Sequence, residues 1–116
     1  MEQIYQKLKE HGIDTDGVTE RLGGNYRLYL TICEKFVYDK SYPSLKEALS
    51  SDDLTAAGTH LHTLKGVAAN LGFLILHELC NCLLEDLKQN RLDRFNLDIQ
   101  KLCLECDQII SILSMT

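Results

Sequence analysis

The chain has no tryptophan, one proline and only seven glycines in 116 residues. An all-β protein needs a turn signal every few residues, and this sequence has little material for them. No apolar run approaches the ~20 residues that cross a bilayer. The opening stretch, Met1 to Glu10, is polar and lacks the apolar core of a secretory signal, so a cytoplasmic protein is expected. Basic residues are also scarce: 12 Lys and Arg stand against 17 Asp and Glu, a formal net charge of −5. That balance argues against non-specific nucleic-acid binding, which rests on phosphate neutralisation by cationic side chains. A G-x-x-x-x-G-K-[ST] loop and a kinase-like glycine-rich loop are both missing, so no ATP site is expected in this chain. What remains is an ordinary globular balance, 45% hydrophobic and 25% charged. It suits one domain over residues 1–116 with a core of its own.

Five cysteines is an odd number, which does not suggest a disulfide framework. Cys80-x-Cys82 and Cys103-x-x-Cys106 raise a metal site as an alternative. Neither pair sits in a glycine-rich knuckle, however, and Cys33, Cys80 and Cys106 fall on apolar stripes, where a free thiol behaves as a small hydrophobe. Packed, reduced thiols are the preferred reading, and no metal or other cofactor is expected.

Hydrophobic spacing predicts helices almost throughout. Residues 2–10 form a short one stopped by Gly12, and Asp14 or Thr15 can cap another through Leu22, before Gly23-Gly24. Asn25 can cap a helix over 26–38, with Tyr26, Tyr29, Leu30, Cys33, Phe36 and Val37 at 3–4 spacing. Pro43 suits the first turn of a short helix through Leu49. After the polar break Ser50–Asp53, a long helix runs to Leu71 and stops at Gly72. Another spans about 73–88. Asn90–Asp93 breaks the chain, and the last helix covers about 94–113, with Phe95, Ile99, Leu102, Cys106, Ile109 and Leu113 inward. The four helices of 13–20 residues should pack as an all-α, antiparallel, up-and-down four-helix bundle over about 26–113. The short N-terminal helices would cover one end.

The chemistry is concentrated in DLTAAGTHLHTLKGVAANLG, Asp53 to Gly72. A helix turns about 100° per residue. With His62 set at zero, Leu54, Ala57, Leu61, Leu64, Ala68 and Leu71 lie about 80–180° away on one side and form the core stripe. Val67 and His60 border it about 140–160° away on the other side. Within about 60° of His62 lie Thr55, Gly58, Thr59, Lys65, Gly66 and Ala69, all small except Lys65. A glycine inside a helix costs about 1 kcal/mol relative to alanine. A plain solvated face would carry Glu, Lys or Gln instead. The face therefore looks shaped to let something approach the imidazole closely, with Lys65 one turn on to pair with an anion. A merely solvated histidine is the plainer alternative. His60 is read as packing or capping, and His11 and His77 as surface residues without a partner.

His62-Thr63-Leu64-Lys65-Gly66, followed by Ala68-Ala69-Asn70-Leu71-Gly72, resembles the signature of histidine-containing phosphotransfer (HPt) domains. The stretch Gly12-Ile13-Asp14 through Gly17, then Arg21 to Asn25, Tyr29 and Phe36, is similar to the opening of those domains. The resemblance runs over about residues 12–110. It implies a four-helix bundle whose histidine is phosphorylated and exchanges the group with an aspartate of response-regulator receiver domains. His62 is then the phosphorylated residue, Lys65 the lysine beside the phosphoryl group and Gly66 the glycine that leaves room for it. The resemblance further implies a phosphocarrier rather than an enzyme. Its partners would be receiver domains and a hybrid sensor histidine kinase, with Mg²⁺ held by the receiver, no nucleic acid or membrane, and a monomeric state. Leu61 departs from the family's frequent alanine, and His60 is a second histidine nearby. Two other readings stay open: the phosphoacceptor domain of a chemotaxis-type kinase, and a metal-binding or scaffolding bundle in which His62 is unmodified.

Overall fold

A computed structural model describes residues 2–115, which hold seven helices and no strand. They are α1 (Glu2–Glu10), α2 (Thr15–Arg21), α3 (Tyr26–Val37), α4 (Ser41–Ser50), α5 (Leu54–Leu71), α6 (Leu74–Lys88) and α7 (Leu92–Leu113). Local chemistry sets three of the starts. Asp14, Asn25 and Asp53 each accept a hydrogen bond from the backbone N–H three residues on, at 3.2, 3.0 and 3.1 Å.

The helix containing Pro43 begins at Ser41, whose N–H is taken by the Asp39 carboxylate at 2.8 Å, so Pro43 falls in its first turn as expected. The first helical N–H groups have no partner within a helix, so its missing donor is not felt. The last helix starts at Leu92, because Asn90 adopts a left-handed φ of 57° and turns the chain within three residues. The arm expected as one helix over 26–38 is only half of the bundle's first strut. The short α4 supplies the other half, packing along α5 and reaching α7. The Tyr42 hydroxyl donates to the Asp107 carboxylate at 2.9 Å.

The resulting bundle is antiparallel. α3 and α4 in succession run against α5, α5 packs on α6, and α6 packs on α7. α3 lies by the C-terminal end of α5, where the buried Tyr29 hydroxyl donates to the carbonyl of Leu71 at 2.8 Å. Phe36 and Phe73 meet edge-on at the same end, with ring centroids 5.2 Å apart. One hydrophobic cluster draws side chains from all seven helices. It includes Ala57, Leu61, Leu64, Ala68 and Leu71, the stripe expected of α5. Leu54 is the exception: as the first residue of α5 it sits beyond the packed layer, exposed.

Gly72 ends α5 with φ 77°. The Phe73 N–H donates to the carbonyl of Ala68 at 2.9 Å, and the Gly72 N–H to that of Ala69 at 3.4 Å, the paired closure of a Schellman motif. The Gly72 carbonyl in turn accepts from the N–H of Asp14 at 2.9 Å, tying the start of α2 to the α5–α6 corner.

His11 is not the unpartnered surface residue that the sequence suggested. Its Nε2 lies 3.0 Å from the carboxylate of Glu105 on α7. Both side chains are largely covered, and the pair fastens the end of α1 to the bundle.

Candidate functional site

α5 holds the site because its sequence divides the helix surface cleanly. One side is the buried stripe. The opposite side carries His62 at mid-helix, exposed, with Thr55, Thr59, Thr63, Gly66, Ala69 and Asn70 also exposed around it. The threonines keep a low profile by bonding to their own helix. The Thr59 hydroxyl donates to the carbonyl of Thr55, and that of Thr63 to the carbonyl of Thr59, each at 3.3 Å. Their polar groups are satisfied without reaching across the imidazole.

The two glycines bordering His62 have different surroundings. A Cβ built on Gly66 meets nothing within 4 Å, so this shoulder is open to solvent and to an approaching partner. A Cβ on Gly58 would lie 3.7 Å from Leu87 Cδ1 of α6. Gly58 therefore also serves the α5–α6 packing, a role that helical angles alone do not reveal.

Lys65 is half-buried on the α6 flank of the face. Its ammonium is near enough to the buried Cys80 thiol to favour the thiolate, although burial dominates and pushes that thiol up to about 12. The lysine is thus partly covered along the α6 flank, one helical turn from His62 on the same helix. α5 contains no aspartate or glutamate, in a chain with 17 of them. An anion at His62 meets one cation and no carboxylate on its own helix.

His60 points elsewhere. It is half-buried in the groove between α4 and α5, among Ser44, Glu47, Ser51, Asp53 and Ala56. Two carboxylates flank it, so an anion there would be repelled. His77 is half-buried on α6.

The cysteines separate as their stripes predict. Cys33, Cys80 and Cys106 are buried, Cys103 is half-buried and Cys82 exposed, all as free thiols. Burial pushes Cys33 up to about 11 and raises Cys106 further. Among the described residues, no three His, Cys, Asp or Glu side chains are grouped to hold a metal ion. No helix among them is long and apolar enough to cross a membrane.

The all-helical bundle presents His62 at the middle of an exposed, low-profile helix face rather than in an enclosed pocket. Consistent with that, the Hpt domain family model matches residues 40–112, more than half of the chain. The protein belongs to the Hpt domain family, phosphocarrier modules of two-component signalling that work with response regulators and kinases. The match covers α4 to α7; the similar stretch around Gly12–Asn25 lies outside it. Neither the curated proteins nor the solved structures contain a significant match.

Proposed function

We propose that His62 is the phosphorylated residue and that this chain relays the group to and from an aspartate of receiver domains, acting as one unit and as a monomer in the cytoplasm. The observation that carries the reading is the open shoulder at Gly66 beside an exposed His62, on the helix at the centre of the family match. Phosphoryl transfer asks the protein mainly for positioning and charge neutralisation. An unprotonated ring nitrogen of His62 attacks the phosphorus of an aspartyl phosphate. The N–P bond forms as the P–O bond breaks, and the aspartate leaves as a carboxylate. Reversal returns the group to an aspartate. Donor and acceptor must come into line with no bulk between them, which the small residues around His62 permit. The acceptor aspartate and its divalent cation come from the partner. The donor side is a hybrid sensor kinase acting through its receiver.

Incubation with phosphorylated receiver domains, and separately with a chemotaxis-type kinase domain and ATP, tests this reading. Label acquired from receivers supports it. Label acquired only from the kinase domain would move the protein to the acceptor-domain reading, and no label from either would remove the function.

Gly66→Leu probes access. The added Cβ meets nothing within 4 Å, and leucine is the better helix former, so stability should hold or rise by up to about 1 kcal/mol. Transfer from the receiver should slow by at least about tenfold, as bulk one turn from His62 misplaces the reacting atoms. Transfer at the wild-type rate would show that the shoulder has no role.

Lys65 probes charge. Its ammonium faces an anion of nearly two charges after phosphorylation. Solvent screens the pair, so the stabilisation is about 1 kcal/mol, roughly fivefold in the yield or lifetime of the phosphorylated state. Lys65→Ala should lose that factor at low salt, and Lys65→Arg should keep part of it. Equal yields and decay rates for wild type and Lys65→Ala at low salt, where screening is weakest, would reduce Lys65 to a packing residue.

A further inference from the structure

The two flanks of the His62 helix differ. Towards α6, Lys65 is half-buried, and a Cβ on Gly58 would already lie 3.7 Å from Leu87. Towards α3, a groove of about 200 Å³ lies open between the helices. The buried Phe36 and Leu71 line its depth, and the half-buried Ile32 and Val67 form its walls. Lys35, Asp39 and Asn70 stand at the mouth. One cation and one carboxylate leave that mouth without net charge, and the Asp39 carboxylate is already engaged by the N–H of Ser41. A second groove on α5, that of His60, carries Glu47 and Asp53 and does not suit an apolar group. Small-molecule pockets hold about 300–1,000 Å³, so the α3–α5 groove suits one side chain of a partner rather than a metabolite. It also lies close to the reacting group: Val67 and Asn70 follow His62 by about 8 and 12 Å along the helix axis. A partner domain centred on His62, with the usual footprint of about 800 Å², is roughly 30 Å across and covers both.

We infer that the α3–α5 groove receives one uncharged, apolar side chain of the receiver domain that exchanges the phosphoryl group with His62, and that this contact selects among receivers. The role rests on the phosphotransfer reading of His62 and adds a place of recognition to it. The groove shares α5 with His62 and lies inside the footprint of a domain docked there. An aliphatic or aromatic anchor in a fitted pocket is the kind of contact that carries most of an interface's binding energy. A charged side chain entering the same groove would give up its hydration to an apolar interior, which discriminates against it. The wall from α3 falls outside residues 40–112, the part matched by the family model, while the wall from α5 falls inside it. The helix carrying His62 thus belongs to the family match, and the α3 wall is a feature on which this chain can differ from other members. An anchor remote from the reacting atoms binds the docked and the reacting states alike, so it acts on association rather than on the chemical step.

Val67→Ala and Val67→Phe test it by enlarging and by filling the groove, and Ile32→Ala changes the opposite wall. Transfer to each protein from a panel of phosphorylated receiver domains gives kcat and KM, and melting curves confirm the fold. For the receiver that serves the wild type best, each variant should raise KM by about fivefold or more, with kcat within about twofold. Receivers that serve the wild type poorly should change less, so the preference narrows. An unchanged KM in Val67→Ala and Ile32→Ala, with Val67→Phe alone impaired, would make the groove a bystander that added bulk obstructs, and would overturn the contact. An equal loss for every receiver would overturn the selection. Methyl NMR of the wild type with added unphosphorylated receiver reads the contact without chemistry: the Ile32 and Val67 signals should shift on binding, and unshifted signals contradict it. Wild-type protein that accepts label while the variants keep its KM removes the groove's role and leaves that of His62. Wild-type protein that accepts no label from any receiver removes both.

Discussion

His62→Gln should fold like the wild type and accept no phosphoryl group from a phosphorylated receiver domain. The side chain is exposed at the middle of α5, and glutamine is a good helix former, so melting should change by no more than about 0.5 kcal/mol. The loss of transfer should nonetheless be complete. Glutamine has no nitrogen lone pair available for attack, since its amide nitrogen is delocalised into the carbonyl. His60 offers no substitute. It sits on the α4 side of the helix in a groove with Glu47 and Asp53, which repel an incoming phosphoryl group. Phosphotransfer assayed with a receiver of confirmed activity, alongside a melting curve, checks both halves. Residual labelling of a well-folded variant would show that the carrier residue lies elsewhere.

The second large effect is structural and falls on Gly72. Gly72→Ala should destabilise the protein by about 3 kcal/mol, summing left-handed strain with overpacking. The φ of 77° is unfavourable for any residue with a Cβ. The Cβ itself would lie 2.9 Å from the carbonyl oxygen of Asp14 and 2.9 Å from Val18 Cγ2. Val18 can shift, but the Asp14 carbonyl belongs to the first turn of α2, so relief requires moving α2 away from the corner. That movement would stretch the bond between the Asp14 N–H and the Gly72 carbonyl. Denaturant unfolding measures the change. A loss below about 1 kcal/mol would mean that the corner repacks freely and that the glycine serves only to end α5.

The features readable from the sequence are those fixed within a few residues. The α5 stripe, its stop at Gly72 and the small residues around His62 follow from helical geometry and capping. Resemblance then attached a chemical role to His62, Lys65 and Gly66. The family match supports the class of protein, and the residue roles remain for the experiments above. Features that join distant segments were not readable. His11 meets Glu105 across 94 positions, and Tyr42 meets Asp107 across 65. The pairing of α3 with α4 as a single strut depends on which faces of α5 and α7 they cover, information that neither short helix carries alone. One of these features left a trace. Glu105 interrupts the apolar stripe of α7, and a charge on a core stripe calls for a partner. Such a trace indicates that a partner exists without saying where it is. The dual setting of Gly58, beside His62 and against Leu87, was likewise hidden because its neighbour comes from another helix.

The central claim is that a single imidazole, that of His62, carries the phosphoryl group. Its most direct test is residue-level mapping of the wild-type protein after labelling by a phosphorylated receiver domain. The label should be acid-labile, as a phosphoramidate is, and fragmentation under neutral or alkaline conditions should place it on His62 alone, with His11, His60 and His77 unmodified. An acid-stable label, or one found on any of the other three histidines, would contradict the account.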